Sequence, residues 1–139
     1  ADSLRGDREN RKDNSAEFEF ELEGFDTYQG VQRVGNKWHR YRQLLTLFVE
    51  EYSGTITDVK KLISQNQYDE AEASVHCLKG VVGNVSAKDL YNVLCELDAC
   101  LKDKEYALLP ELVDRSGLQL GLAVSEIEGL KKNETSGRG

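Results

Sequence analysis

The stretch that decides the fold is YDEAEASVHCLKGVVGNV, residues 68–85. Its apolar residues recur at spacings of three and four, which is the period of one face of an α-helix. A helix with one apolar stripe is stable when that stripe is buried against other helices. The members of the stripe are Tyr68, Ala71, Val75, Leu78, Val82 and Val85.

The same periodicity continues on both sides of this stretch. Short connections between successive helices favour antiparallel neighbours. We therefore expect an all-α fold, namely an antiparallel up-and-down four-helix bundle with additional short N-terminal helices. The first predicted helix is short and runs from Asp26 or Thr27 to near Gly35, and the second covers residues 37–52. A third helix follows Gly54-Thr55 and carries Ile56 to Ile63, and the fourth covers residues 68–85. The fifth is capped by Ser86 and carries Leu90 to Leu101, and the last begins near Glu105 with Pro110 in its first turn.

The chain divides into three predicted segments. Residues 1–23 form a charged linker followed by an extended segment, residues 24–131 form the bundle, and residues 132–139 form a flexible tail. Residues 1–16 mix both charge signs and contain a single large apolar residue, Leu4, which is too little to order them. Because the chain begins with Ala1 rather than Met, we expect it to be a piece of a longer protein.

Residues 17–23 alternate polar and apolar side chains, which is a strand pattern. A single strand has no partner in a helical bundle, so we expect this segment to run extended across the bundle surface. It should bury Phe18, Phe20 and Leu22.

Composition excludes several classes of function. The net charge of -7 argues against nucleic acid as a partner, since phosphate neutralisation needs clustered Lys and Arg. No apolar run approaches the roughly 20 residues of a membrane span, so we expect no membrane contact by this fragment and a cytoplasmic location, although a parent protein can be membrane-anchored. The three cysteines are an odd number inside helical patterns, which favours buried free thiols over a disulfide framework.

His76 lies inside the helix of residues 68–85 but off its apolar face. At about 100° per residue it falls roughly 130° from the centre of the stripe, on the side that faces water. A lone histidine in a helix is often a satisfied core residue, and the periodicity argues against that interpretation here. His76 is therefore a candidate reactive residue.

Lys79, Gly80 and Gly83 share the face of His76. Each glycine inside a helix costs about 1 kcal/mol relative to alanine. One explanation is close packing on another helix of the bundle. The other, which their distance from the apolar stripe favours, is that a second molecule approaches His76 closely. The Lys79 ammonium disfavours a second proton on the imidazole ring and so keeps a nitrogen lone pair available.

A carboxylate on the next helix is predicted to lie beside His76. If the chain turns at about residue 87, the antiparallel level of His76 is near Asp98. Asp98 can then accept a hydrogen bond from one ring nitrogen and leave the other as the nucleophile. The alternative, that Asp98 is an ordinary surface acid, stays open.

Residues 75–90, VHCLKGVVGNVSAKDL, closely resemble the signature of bacterial histidine-containing phosphotransfer (HPt) domains. That signature is a His, a Leu two residues on, Lys-Gly, then small residues and a Gly. The likeness covers about residues 24–104 and is weaker through the last helix. The upstream positions that resemble the entry helices of the family are Gly24-Phe25-Asp26, Gly30 to Arg33, Gly35-Asn36 and Leu44 to Phe48.

The resemblance implies a role for each residue of the motif. His76 would be the phosphoacceptor, and Lys79 would stabilise the charge of the phosphorylated ring. The docking face for a receiver domain would be formed by Gly80, Val81, Gly83 and Asn84, with Val81 standing where a smaller residue is usual. Some relatives carry Gln near the position of Asp98, so a hydrogen bond to the ring is expected there without its form being fixed.

The function implied is that of a phosphorelay intermediate rather than an autonomous enzyme. His76 would accept a phosphoryl group from a receiver-domain aspartate and transfer it to another receiver aspartate. This domain would need no cofactor or metal of its own, because the Mg²⁺ belongs to the partner receiver. The partners would be receiver domains of response regulators or of a parent hybrid sensor kinase, in which such a domain is often the C-terminal module.

Three other classes of function compete with this hypothesis. A helical protein-interaction module that is never phosphorylated is compatible with the bundle but leaves the glycines, Lys79 and His76 unexplained. Autonomous hydrolysis lacks a base, an acid and an oxyanion hole on one face. A zinc site lacks the paired Cys spacing of structural zinc. Its ligands would have to come from His76, Cys77, Cys95 and Cys100, or from His39, which is most simply a surface residue.

Overall fold

The computed structural model describes the backbone of residues 19–138 and the side chains of residues 19–130. Within that part of the chain the regular structure is entirely helical. The predicted all-α class is therefore confirmed. In chain order the elements are α1 (Thr27–Arg33), α2 (Trp38–Tyr52), α3 (Thr55–Ser64), α4 (Tyr68–Asn84), α5 (Lys88–Lys102), a 3-10 turn (Tyr106–Leu108) and α6 (Leu109–Arg138).

The long helices form an up-and-down bundle. α4 packs between α3 and α5, α5 packs on α6, and α6 returns to lie against α2 and α3, which closes the ring. The connections from α3 to α4, from α4 to α5 and from α5 to α6 are short, and the two helices of each pair pack side by side, as expected of antiparallel neighbours. The four-helix bundle is confirmed, and α1 is the short N-terminal helix, packed on α2.

The core of the bundle is formed by the apolar stripe of each helix. Four members of the stripe predicted on α4, namely Ala71, Val75, Leu78 and Val82, are completely buried. Because burial of each large aliphatic side chain contributes about 1.5–3 kcal/mol, this stripe fixes the rotation of α4 about its own axis. The opposite face of α4 must therefore point to solvent.

A close approach between α1 and α2 secures the end of α4. A Cβ added to Gly30 of α1 would lie 2.5 Å from the ring of Tyr41 on α2, so only glycine allows this contact. The buried Tyr41 hydroxyl donates a hydrogen bond of 2.8 Å to the carbonyl of Val85, just past α4. Burial is the main cause of a strongly raised pKa for Tyr41, so this hydroxyl stays a donor.

The segment before α1 packs on α2 without regular structure. Leu22 is buried and Phe20 is half-buried, as predicted. The Phe20 ring meets the Trp38 ring edge-on, with 4.7 Å between the ring centroids. The Arg42 guanidinium lies 4.8 Å from the centre of the Phe20 ring. Phe18 lies outside the described residues.

The predicted segment boundaries stay predictions. Residues 1–18 lie outside the described part of the chain. The backbone of α6 is helical as far as Arg138, while the side chains of residues 131–139 are not among those described. Within the described residues, none of the helices combines the length and the apolar character that a membrane span requires.

The predicted capping role of Ser86 is wrong. α5 begins at Lys88 with Ala87 as its N-cap, and Ser86 belongs to the turn that ends α4. Its φ of 60° is left-handed, and the turn is closed by a 3.2 Å hydrogen bond from the Ala87 amide to the Val82 carbonyl. The Ser86 hydroxyl is then free to donate to the Gln29 side chain at 3.1 Å. Ser86 therefore serves in the turn that ends α4 and not as the N-cap of α5, although serine is favoured as an N-cap.

The prediction of buried thiols is wrong for one cysteine. All three cysteines are free. Cys100 is buried and donates to the carbonyl of Glu105, and Cys95 is half-buried. Cys77 is exposed, because it follows His76 on the solvent face of α4.

Candidate functional site

His76 stands on the solvent face of α4, about halfway along the helix. Its side chain is 65% exposed, whereas Val75 and Leu78 on either side of it are completely buried. The structure thus confirms that His76 is off the core face. His39, the other histidine of the chain, is an exposed residue of α2, as predicted.

Asp98 of α5 lies behind the imidazole of His76. Its Oδ2 is 3.9 Å from Nδ1 of His76, which is beyond hydrogen-bond distance. The antiparallel level deduced from the turn near residue 87 is confirmed. Asp98 is only 2% exposed, so the alternative that it is an ordinary surface acid is wrong. Its role in orienting the ring stays a prediction.

Two lysines share the buried carboxylate of Asp98. Nζ of Lys79 lies 2.9 Å and Nζ of Lys102 lies 3.1 Å from the same oxygen, Oδ2. Lys79 is half-buried between α4 and α5, whereas Lys102 is more exposed and also lies 3.9 Å from Glu72. Lys79, Asp98 and Lys102 together are called the Asp98 cluster below.

The hydrogen bonds of the cluster favour the charged forms of Asp98 and Lys79. Burial alone would raise the pKa of Asp98, but the hydrogen bonds from Lys79 and Lys102 outweigh burial and lower it. The hydrogen bond to Asp98 in turn raises the pKa of Lys79. The other carboxylate oxygen, Oδ1, is also buried, and no described residue donates a hydrogen bond to it.

The two glycines beside His76 have different surroundings. A Cβ added to Gly80 would meet nothing within 4 Å, so the surface there is open. A Cβ added to Gly83 would lie 3.4 Å from the ring of Tyr91 on α5, so this glycine faces the bundle on one side. Packing within the bundle therefore accounts in part for Gly83 and does not account for Gly80.

The remaining residues of the predicted docking face lie on the last turns of α4. Val81 is half-buried and packs on the core, and Asn84 is exposed. Between α4, the start of α5 and α1 lies a groove of about 370 Å³. Its charged lining residues are Arg33, Lys79 and Lys88, all of them cations.

The sequence reasoning missed several residues of this region. Lys102 carries only the signal of an i, i+4 pair with Asp98, which is common on solvated helices. Arg33, Lys88 and Tyr91 reach the groove from α1 and α5, and the sequence reasoning gave none of them a role. Only the packing of three helices brings them beside Gly80.

The residues that a zinc site would require are not gathered together in the described part of the chain. Among the side chains of residues 19–130, no group of three or more His, Cys, Asp or Glu residues is placed to hold a metal ion. Cys77 and Cys100 illustrate why, since one is exposed on α4 and the other is buried in α5.

Comparison with known families gives one match. The sequence profile of the Hpt domain family matches residues 43–130, which is more than half of the chain. The match begins within α2, ends within α6 and includes the whole of α4 and α5. No curated protein and no solved structure matches the chain significantly.

Proposed function

This chain belongs to the Hpt domain family, and from that premise we propose that His76 is the phosphoacceptor of a phosphorelay. Hpt domains act in phosphorelays as intermediates between receiver domains. In the proposed reaction His76 accepts a phosphoryl group from one receiver aspartate and transfers it to another. The observation that carries the proposal is the exposed imidazole at the middle of α4, backed by the Asp98 cluster and flanked by the open surface of Gly80.

The geometry favours Nε2 as the attacking nitrogen. Nδ1 is the ring nitrogen nearest to Asp98, so a proton on Nδ1 lies toward a carboxylate and Nε2 keeps its lone pair. In the transfer, a bond forms between Nε2 and phosphorus while the bond between phosphorus and the receiver's carboxylate oxygen breaks. The electron pair of that bond returns to the receiver's aspartate, and Nδ1 keeps its proton.

The proposed docking face places a receiver against α4. Gly80 leaves the surface one turn from His76 open, and we propose that the phosphoryl donor approaches Nε2 over this position. The cations Arg33, Lys79 and Lys88 along the groove suit the negative charge of an aspartyl phosphate and its surroundings. We include Gly83 and Asn84 in this face because they border the same groove.

The division of labour follows from what the domain contains. This chain would supply the nucleophile, the nearby cations and the docking surface. The receiver would supply Mg²⁺ and most of the catalysis, so the domain would be an intermediate rather than an autonomous enzyme and would need no cofactor of its own. We propose a cytoplasmic site of action and, as partners, receivers of response regulators or of a parent hybrid kinase, with neither nucleic acid nor membrane contact by this segment.

The test is phosphoryl transfer from a receiver domain that carries a ³²P-labelled aspartate. The wild type, His76→Gln and His39→Gln would be compared, and the last is a matched control because it removes the only other histidine. We expect an acid-labile, alkali-stable label on the wild type and on His39→Gln, and none on His76→Gln. Equal labelling of wild type and His76→Gln would move the site elsewhere. No label on any variant across several receivers, with binding retained, would favour an interaction module instead.

A further inference from the structure

We propose that Asp98 sets the transfer potential of phosphorylated His76 by competing with the phosphoryl group for Lys79 and Lys102. This inference rests on the proposed function and concerns the same site. Asp98 is then a positioning residue, since it acts through the two lysines and not on the reacting atoms. Its effect would be to make the phosphorylated ring a readier donor.

The competition follows from how the cluster is built. Both lysines bind one oxygen of Asp98, at 2.9 Å and 3.1 Å, and that oxygen lies 3.9 Å from the imidazole. A lysine that turns toward a phosphoryl group on His76 must leave Asp98 or share its charge with it. Because Asp98 is 2% exposed, its carboxylate depends on the two lysines to offset the cost of burying its charge.

The count of charges near His76 leads to the same conclusion. Lys79 and Lys102 are balanced by Asp98 and by Glu72, whose carboxylate lies 3.9 Å from Lys102. The formal charges of these four groups therefore sum to zero before transfer. A phosphoryl group adds a charge of about -1.5 to -2. With a neutral amide at position 98, the same two lysines would leave one positive charge available for it.

Replacement of Asp98 by Asn should therefore favour phosphorylation. The equilibrium constant for transfer from a phosphorylated receiver to this domain should rise on the order of tenfold, since one unit charge is removed beside the phosphoryl group at the effective dielectric of a protein surface. A purely structural role for Asp98 could only lower the yield of phosphorylated domain. The direction of the change thus separates the two roles.

The experiment measures that equilibrium constant with one labelled receiver and five forms of the whole chain. They are the wild type, Asp98→Asn, Asp114→Asn and Lys102→Gln, and the last is also combined with Asp98→Asn. Asp114→Asn makes the same change of charge in an exposed ion pair, which joins Asp114 on α6 to Lys60 on α3. We expect it to change the constant by less than about twofold because exposed charges are screened. Circular dichroism would establish that each variant is folded.

In the Lys102→Gln background, the gain from Asp98→Asn should shrink at least about threefold, because one of the lysines it would release is gone. A folded Asp98→Asn protein whose equilibrium constant equals or falls below that of the wild type would overturn the inference and leave His76 as the acceptor. A gain of the same size with and without Lys102 would point to direct repulsion and overturn the competition. A wild type that takes no label would instead overturn the proposed function and, with it, this inference.

Discussion

Gly80 offers the sharpest test of the docking face, because the stability and the function of this position should respond in opposite directions. Replacement by alanine adds one methyl group in a helix interior, where it meets nothing within 4 Å. Alanine is favoured over glycine there by about 1 kcal/mol. For a domain of this size that gain corresponds to a rise in melting temperature of roughly 3–5 °C.

The same methyl group should obstruct a receiver. Forcing a methyl or methylene into a well-packed contact costs about 1–3 kcal/mol. We therefore expect kcat/KM for phosphoryl transfer to fall about tenfold in Gly80→Ala, since about 1.4 kcal/mol is a factor of ten. Gly80→Gln carries a longer side chain with good helix propensity, so its transfer rate should fall further while its stability stays at or above that of the wild type.

Urea denaturation would give the stability of each variant, and rapid-quench transfer from a labelled receiver would give the rate. Gly121 is the matched control, because it is an exposed glycine in the middle of α6 whose added Cβ also meets nothing within 4 Å. Gly121→Ala should gain similar stability and transfer at the wild-type rate. Normal transfer by both Gly80 variants would refute the docking face, and a loss of stability in Gly80→Ala would refute the claim that the position is open.

Three further outcomes follow from the structure. Tyr41→Phe should cost about 1–3 kcal/mol in urea denaturation, because the buried carbonyl of Val85 loses its donor, and an unchanged stability would contradict that bond. Gly30→Ala should destabilise by about 1–3 kcal/mol, opposite in sign to Gly80→Ala, because its Cβ would lie 2.5 Å from the Tyr41 ring, and calorimetry can measure both. The lowered pKa of Asp98 means that its ion pairs stabilise the fold fully above the unfolded pKa of about 3.9, and that this contribution is lost as the pH falls through the folded value. Stability curves of wild type and Asp98→Asn should thus converge in acid, and parallel curves would refute the assignment.

The part of the fold that a short-range pattern determines could be predicted from the sequence. The spacing of Ala71, Val75, Leu78 and Val82 fixed the buried face of α4 and, with it, the exposure of His76. The antiparallel level of Asp98 followed from the length of the turn before α5. Both depend only on helix geometry and on the shortness of a connection.

The errors came from residues whose state depends on packing. Ser86 was predicted to cap α5 because serine is favoured at the N-cap position, but the turn that ends α4 gives Ser86 a left-handed φ. Asp98 could not be recognised as buried from its own helix, so its use of Lys102 was missed. Cys77 was included in the prediction of buried thiols, although its position beside His76 places it in solvent.

The rigidity of α4 has a consequence for how many partners one histidine can serve. The four stripe residues that hold α4 are completely buried, so the backbone under His76 loses little freedom when another protein docks. Ordering entropy is a large part of the cost of association, and a surface that is already fixed avoids most of it. A small, preformed contact can then be made and broken quickly. Successive receivers would thus bind the same preformed surface, and any conformational change on docking would occur in the receivers.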